Sequence, residues 1–160
     1  MARKNNSPNT RNDIASPPKV GKSESVPKIV TARTIKELER HADAWNNLAL
    51  TTPQRLPVLS YSWIVSYLEH RLKPDSDWIC LFAYDGDQLR GVLPVVAQPI
   101  RLMGIRRIHL STPADWHTVS ADFLSAPGWE TTIIPMFLGK LNAVFPGWHC
   151  LELRRLPNIS

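Results

Sequence analysis

Nowhere does the chain hold an unbroken apolar run of the roughly eighteen residues that a helical membrane span needs, so no span is expected. Arg3 and Lys4 have no apolar segment behind them, which argues against a secretory leader. Cysteine is scarce. Cys80 and Cys150 each sit in an apolar run and read as small buried hydrophobes of a reducing compartment, so no disulfide framework and a cytoplasmic location are expected. Glycine is thin as well, with 7 in 160 residues, and no G-x-S-x-G elbow occurs. Ser120 stands in "TVSAD" without flanking glycines, which disfavours a Ser–His–Asp hydrolase. His109, His117, His149 and Cys150 follow neither C-x-x-C nor H-x-x-x-H spacing, so no metal is expected.

What is present divides in two. Residues 1–28 are rich in Ser, Pro, Asn and Lys and almost devoid of large apolar side chains, the composition of a disordered basic tail. They hold six Lys/Arg against Asp13 and Glu24, a share of +4 in the chain's +5, which leaves +1 for residues 29–160. That second part is long and apolar enough for one domain with a real core. Its near neutrality argues against a nucleic-acid face, and no specific nucleic-acid partner is expected.

Thr34 with Glu37 forms a capping-box pair, and Ile35, Leu38, Ala42, Trp45 and Leu48 recur at helical steps behind it. One helix is expected over "TIKELERHADAWNNLAL", ended by Pro53 and Pro57. Ser60 is expected to cap a second, with Trp63, Ile64, Tyr67, Leu68 and Leu72 inward. Trp78 to Tyr84 is almost continuously apolar, as in a strand covered on both faces, and Asp85-Gly86 turns it into a partner from Leu89 to Ala97. Gly91 and Pro94 interrupt that partner, so a bulge or an edge position is expected there. A third strand spans Ile105 to Leu110 after the connection "PIRLMG". Residues 111–130 are irregular, Thr131 opens a third helix with Pro135 in its first turn, and "GWHCLELRRL" closes as a strand. This order gives an α/β (α+β) fold: a mixed, mainly antiparallel sheet flanked by helices.

With "AWNNLA" (44–49), "PVLSYSWIVSYLEH" (57–70), "GDQLRGVLPVV" (86–96), "ADWHTVSADFLSAPG" (114–128) and "WHCLELRRLP" (148–157) in this order, the chain resembles GNAT-type acetyltransferases. More narrowly, it is similar to the N-terminal half of those associated with cellulose biosynthesis, relatives of the Fem-type aminoacyltransferases. The resemblance implies acyl transfer from acetyl-CoA or another acyl-CoA to an amine or hydroxyl acceptor, by a GNAT-like sheet. Such proteins carry two lobes, so residues 29–160 are expected to be the acceptor-side lobe alone, truncated after it and inactive without a second lobe or partner chain. The family's phosphate loop, Q/R-x-x-G-x-G/A before a helix, has one near-match here, Arg101-Leu102-Met103-Gly104-Ile105-Arg106. Arg106 stands where a small residue is required and a strand follows, so this reads as a turn between strands, and no cofactor is expected to bind this lobe.

The loop "ADWHTVSADF" gathers Asp115, Trp116, His117 and Asp122, the candidate substrate-binding residues. Acyl transfer needs a base to take a proton from the acceptor, and His117 oriented by Asp115 or Asp122 meets that need. The structural alternative is a pair of Asx turns with Trp116 plugging the core. Trp129 and Trp148, beside Pro-Gly turns, suit a small-molecule or glycan acceptor. Two rival readings stand beside the enzyme: a non-catalytic interaction module that pairs through its sheet edge, and a nucleic-acid-associated domain using the basic tail.

Overall fold

A computed structural model describes residues 26–53, 56–114 and 122–153. Residues 1–25 of the expected tail 1–28 therefore lie outside the described residues, as do Asp115, Trp116 and His117, while its last residue, Lys28, begins a strand.

The sheet begins earlier than the sequence reading has it. Lys28–Ala32 is a strand, β1, paired antiparallel to β2 (Asp77–Asp85). Its five residues, "KIVTA", are too few to show a period, and their pairing supplies what the local pattern lacks. The expected first helix is two. Thr34 accepts from Glu37 N (3.2 Å) while Glu37 Oε2 accepts from the amides of Thr34 (3.1 Å) and Arg33 (2.7 Å), starting α1 (Ile35–Glu39). The chain then breaks at Arg40-His41 and resumes as α2 (Ala42–Thr51). At the break the His41 ring stacks on Phe82 (4.1 Å between centroids) and its Nδ1 lies 2.7 Å from Tyr84 Oη. A contact across to β2 thus overrides helical continuity. Ser60 accepts from Trp63 N and starts α3 (Tyr61–His70), as its position suggests.

β2 turns through Gly86 (φ +57°) into β3 (Gln88–Leu102), far longer than the nine residues expected. β3 continues through "QPIRL" and returns as β4 (Ile105–Ser111) through Met103 (φ +51°) and Gly104 (φ +84°). The near-match to a phosphate loop is this hairpin. A two-residue strand, β5 (Leu124–Ser125), also pairs with β3. After α4 (Glu130–Val144), β6 (Trp148–Glu152) joins parallel to β4, the crossover expected of a strand–helix–strand unit. The sheet order is β1-β2-β3-β4-β6, with β5 beside the first half of β3. The fold is a mixed, mainly antiparallel α/β sheet. Pro135 is the sixth residue of α4, beyond its first turn, because the helix starts at Glu130. Burial of Ile133, Phe137 and Leu141 offsets the hydrogen bond it removes.

Both faces of the sheet are covered, which explains the continuous apolarity of β2. Cys80 and Phe82 join Trp45, Leu48, Ile64 and Val92 on one side, against α1–α3. Ile79, Leu81, Leu93 and Val95 join Ile133, Phe137 and Leu141 on the other, beneath α4. Trp45 Nε1 donates to Leu59 O (2.7 Å), so its polar end is satisfied within the core.

β3 is central and not an edge. The register shifts between Ala83 and Tyr84, leaving Arg90 as the extra residue of a bulge next to Gly91. A Cβ on Gly91 would collide with Ile133 Cδ1 and approach Leu124 O to 3.2 Å, so glycine is what lets α4 settle on β3.

Candidate functional site

Pro94 marks a break in the sheet. Arg90 O accepts from Ala126 N (2.7 Å), so alternation turns the backbone groups of residues 90, 92 and 94 away from β2. β5 pairs with β3 only at Gly91 and Val92, and β4 takes over at Val96. Pro94 falls between the two ladders, opposite Cys80 of β2, at a position where neither neighbour asks for its missing N–H. A proline in a central strand is tolerated for that reason.

Polar side chains are buried where the chain leaves β4 and enters β5. Ser111, Thr112, Asp122 and Ser125 are all buried, Asp122 being only 6% exposed. Continuing the β3–β5 register two residues back from Leu124 brings Asp122 level with Pro94. Asp122 Oδ1 accepts from Phe123 N at 2.7 Å. Burial raises its pKa above the ordinary aspartate value, and the Phe123 amide pulls the other way. Of the four candidates read from the sequence, Asp122 is the one the described residues place, buried and accepting from the amide that follows it.

Neighbouring groups hold this region in place. Tyr67 Oη donates to Ala114 O (3.4 Å), fastening the exit from β4 to α3. Thr112 N donates to Glu152 O (3.1 Å), and His109 Nε2 lies 3.3 Å from Glu152 Oε2. Thr112 and Glu152 stand at the carboxyl ends of the parallel pair β4 and β6. Ser125 Oγ is engaged with Ala126 O (3.1 Å).

Arg90 is a further polar residue that the sequence reading passed over. Its guanidinium lies over the Trp129 ring (5.0 Å) and 3.6 Å from Asp85 Oδ2. Its buried Nε has no hydrogen-bond partner among the described residues. With Asn47, Thr51, Gln88 and Pro127 it lines a cleft of about 420 Å³. Only the bulge singles it out, and a bulge is a product of register, which a single sequence does not display. Trp129 and Trp148 are both half-buried.

The start of α4 is the place to test for a diphosphate. Gly128 has φ +81°, a backbone conformation that the turn into α4 requires and that favours glycine. Pro127 has no N–H to offer, and Glu130 puts a carboxylate into the first turn, against an anion. The described residues at this helix start do not fit the diphosphate of an acyl-CoA. Among the described residues no cluster of three His, Cys, Asp or Glu is arranged for a metal ion.

No protein-family model matches the chain, and no curated protein does either. Solved structures match it only distantly. A transcriptional regulator from Bacillus halodurans C-125 is 17% identical, with a TM-score of 0.44 over 83% of this chain and 84% of its own. A ribosomal-protein-alanine N-acetyltransferase from Brucella melitensis biovar Abortus 2308 is 17% identical, with a TM-score of 0.43 over 84% of this chain and 83% of its own. Superposition at this level assigns neither a family nor an activity.

Proposed function

We propose that this chain is the acceptor-side lobe of a GNAT-type acyltransferase, serving transfer from an acyl-CoA to an amine or hydroxyl. One observation carries the reading: a buried carboxyl of raised pKa, Asp122, beside a break in the central sheet. In this role Asp122 takes the proton of the attacking acceptor. The misfit at the start of α4 supports a division of labour, in which the acyl donor is held by a second lobe or partner chain. Cellulose biosynthesis enters only through the sequence resemblance.

Two measurements test this. Calorimetric titration with acetyl-CoA is expected to give no saturable heat, and micromolar binding would refute the acceptor-only assignment. The second follows stability against pH for the wild type and Asp122→Asn. A carboxyl whose folded pKa is raised contributes stability that is full below about pH 4 and is lost as pH climbs through the folded pKa. The stability of the wild type relative to Asp122→Asn should therefore fall as pH rises from about 4. A constant difference would remove Asp122 as the poised base.

A second reading, an interaction module, draws on β6. This strand pairs with β4 on one side and has no strand on the other among the described residues.

A further inference from the structure

The far end of the β3–β4 hairpin is built unlike the covered sheet from which it extends. From Arg101 to Arg107 every residue is exposed. Beyond Ala97 β2 no longer pairs with β3, and β6 reaches β4 only from Ile108. The two strands thus run on as an isolated arm, unsupported by a core.

Its apex is the first anomaly. Met103 is the one non-glycine residue at positive φ among the described residues, and it is 96% exposed. Asn or Gly suits such a turn, and methionine gains nothing there from folding. Its neighbours Leu102 and Ile105, cross-strand partners, are 43% and 56% exposed. Three large apolar side chains meet at one tip, facing water.

The second anomaly is charge. Arg101 pairs directly with Arg106 across the strands, an arrangement that repels, and Arg107 follows. No acidic residue occurs from Ala97 to Ser111. Asp75, from the turn before β2, shares with Arg101 and Arg106 a cleft of about 460 Å³ at the root of the arm. Alternation puts Leu102, Ile105 and, one step further back, Arg107 on one face and Arg101 and Arg106 on the other. The arm thus has an apolar tip with arginines behind it on both faces.

We propose that this arm is a peripheral anchor for an anionic lipid surface: Leu102, Met103 and Ile105 enter the headgroup–acyl boundary while Arg101, Arg106 and Arg107 contact lipid phosphates. An apolar apex flanked by arginines matches that interface on both counts, since arginine stems lie along apolar surface and keep their heads with the phosphates. The near-neutral charge of residues 29–160 makes a nucleic acid the poorer match, because that partner rewards charge and not an apolar apex. Nothing here depends on Asp122 or on acyl transfer.

The test uses the full chain and sedimentation with vesicles of phosphatidylcholine, alone or in equal parts with phosphatidylserine. Binding is expected to the mixed vesicles and not to phosphatidylcholine alone. The informative variant is Leu102→Thr/Met103→Asn/Ile105→Thr, which keeps every charge, including those of residues 1–28. Asn suits the turn better than Met and Thr suits strands, so the variant should melt no lower than the wild type. Its vesicle affinity should drop at least tenfold, whereas Arg101→Gln/Arg106→Gln should cost about fivefold per arginine. Equal binding by the apolar-tip variant would overturn the anchor. So would a failure of the wild type to sediment with the mixed vesicles, or a preference for duplex DNA that the apolar-tip variant retains.

Discussion

Gly91 shows how much one missing methyl group decides. It lies in a central strand, beneath the first turns of α4, where any Cβ meets Ile133. Gly91→Val is expected to lower stability by about 2 kcal/mol through overpacking, read as a shift in the urea midpoint. An unchanged midpoint would mean that Ile133 moves aside without loss. Gly91 and Pro94 were legible as irregularities, because both weaken any ladder. Their separate causes were not: one makes room for a helix, the other sits where two neighbouring strands fail to meet. Asp122 drew notice in the sequence as one of several clustered polar residues, of which Asp115, Trp116 and His117 lie outside the described residues. The burial that perturbs Asp122 was not legible, since burial is set by the fold and by no local pattern.

Elements whose ends are written in local chemistry emerged as read. The capping box at Thr34 and the Ser60 cap each satisfy free amides within a few residues, so neither needs the rest of the fold. Thr34→Ala is expected to cost about 1 kcal/mol, detectable as a lower thermal midpoint, with Glu37→Gln smaller. The carboxylate of Glu37 titrates below its usual range, chiefly through the Arg33 amide, with Thr34 adding to it. If Thr34→Ala melts with the wild type, α1 is held by Leu38 alone. Elements defined by long-range pairing were missed or mis-sized. β1 and β5 are too short for a pattern, the helix expected over 34–50 is broken by a contact to β2, and β3 runs past its apolar segment into the arm.

Across the whole molecule, the sheet has two unequally guarded regions, and its thiols report on both. Cys80 lies at the centre of the sheet, fully buried, and its pKa is pushed well up by desolvation. Cys150 lies on the outer strand β6 and is half-buried. Under native conditions a thiol reagent is expected to label Cys150 first, and Cys80 only at the rate of global unfolding. Equal labelling rates would show that β2 and β3 open without the rest of the sheet.

By itself the sequence determined the chemistry that acts over short distances: helix starts, tight turns, the apolar hairpin at the centre and the two-sided burial its composition demands. Only the tertiary structure decided which strand lies beside which, that Asp122 is buried, and that Leu102, Met103 and Ile105 are exposed at a hairpin end. The reason is range. Caps and turns are settled by neighbours a few residues away, whereas burial and register depend on segments tens of residues apart that no local pattern records.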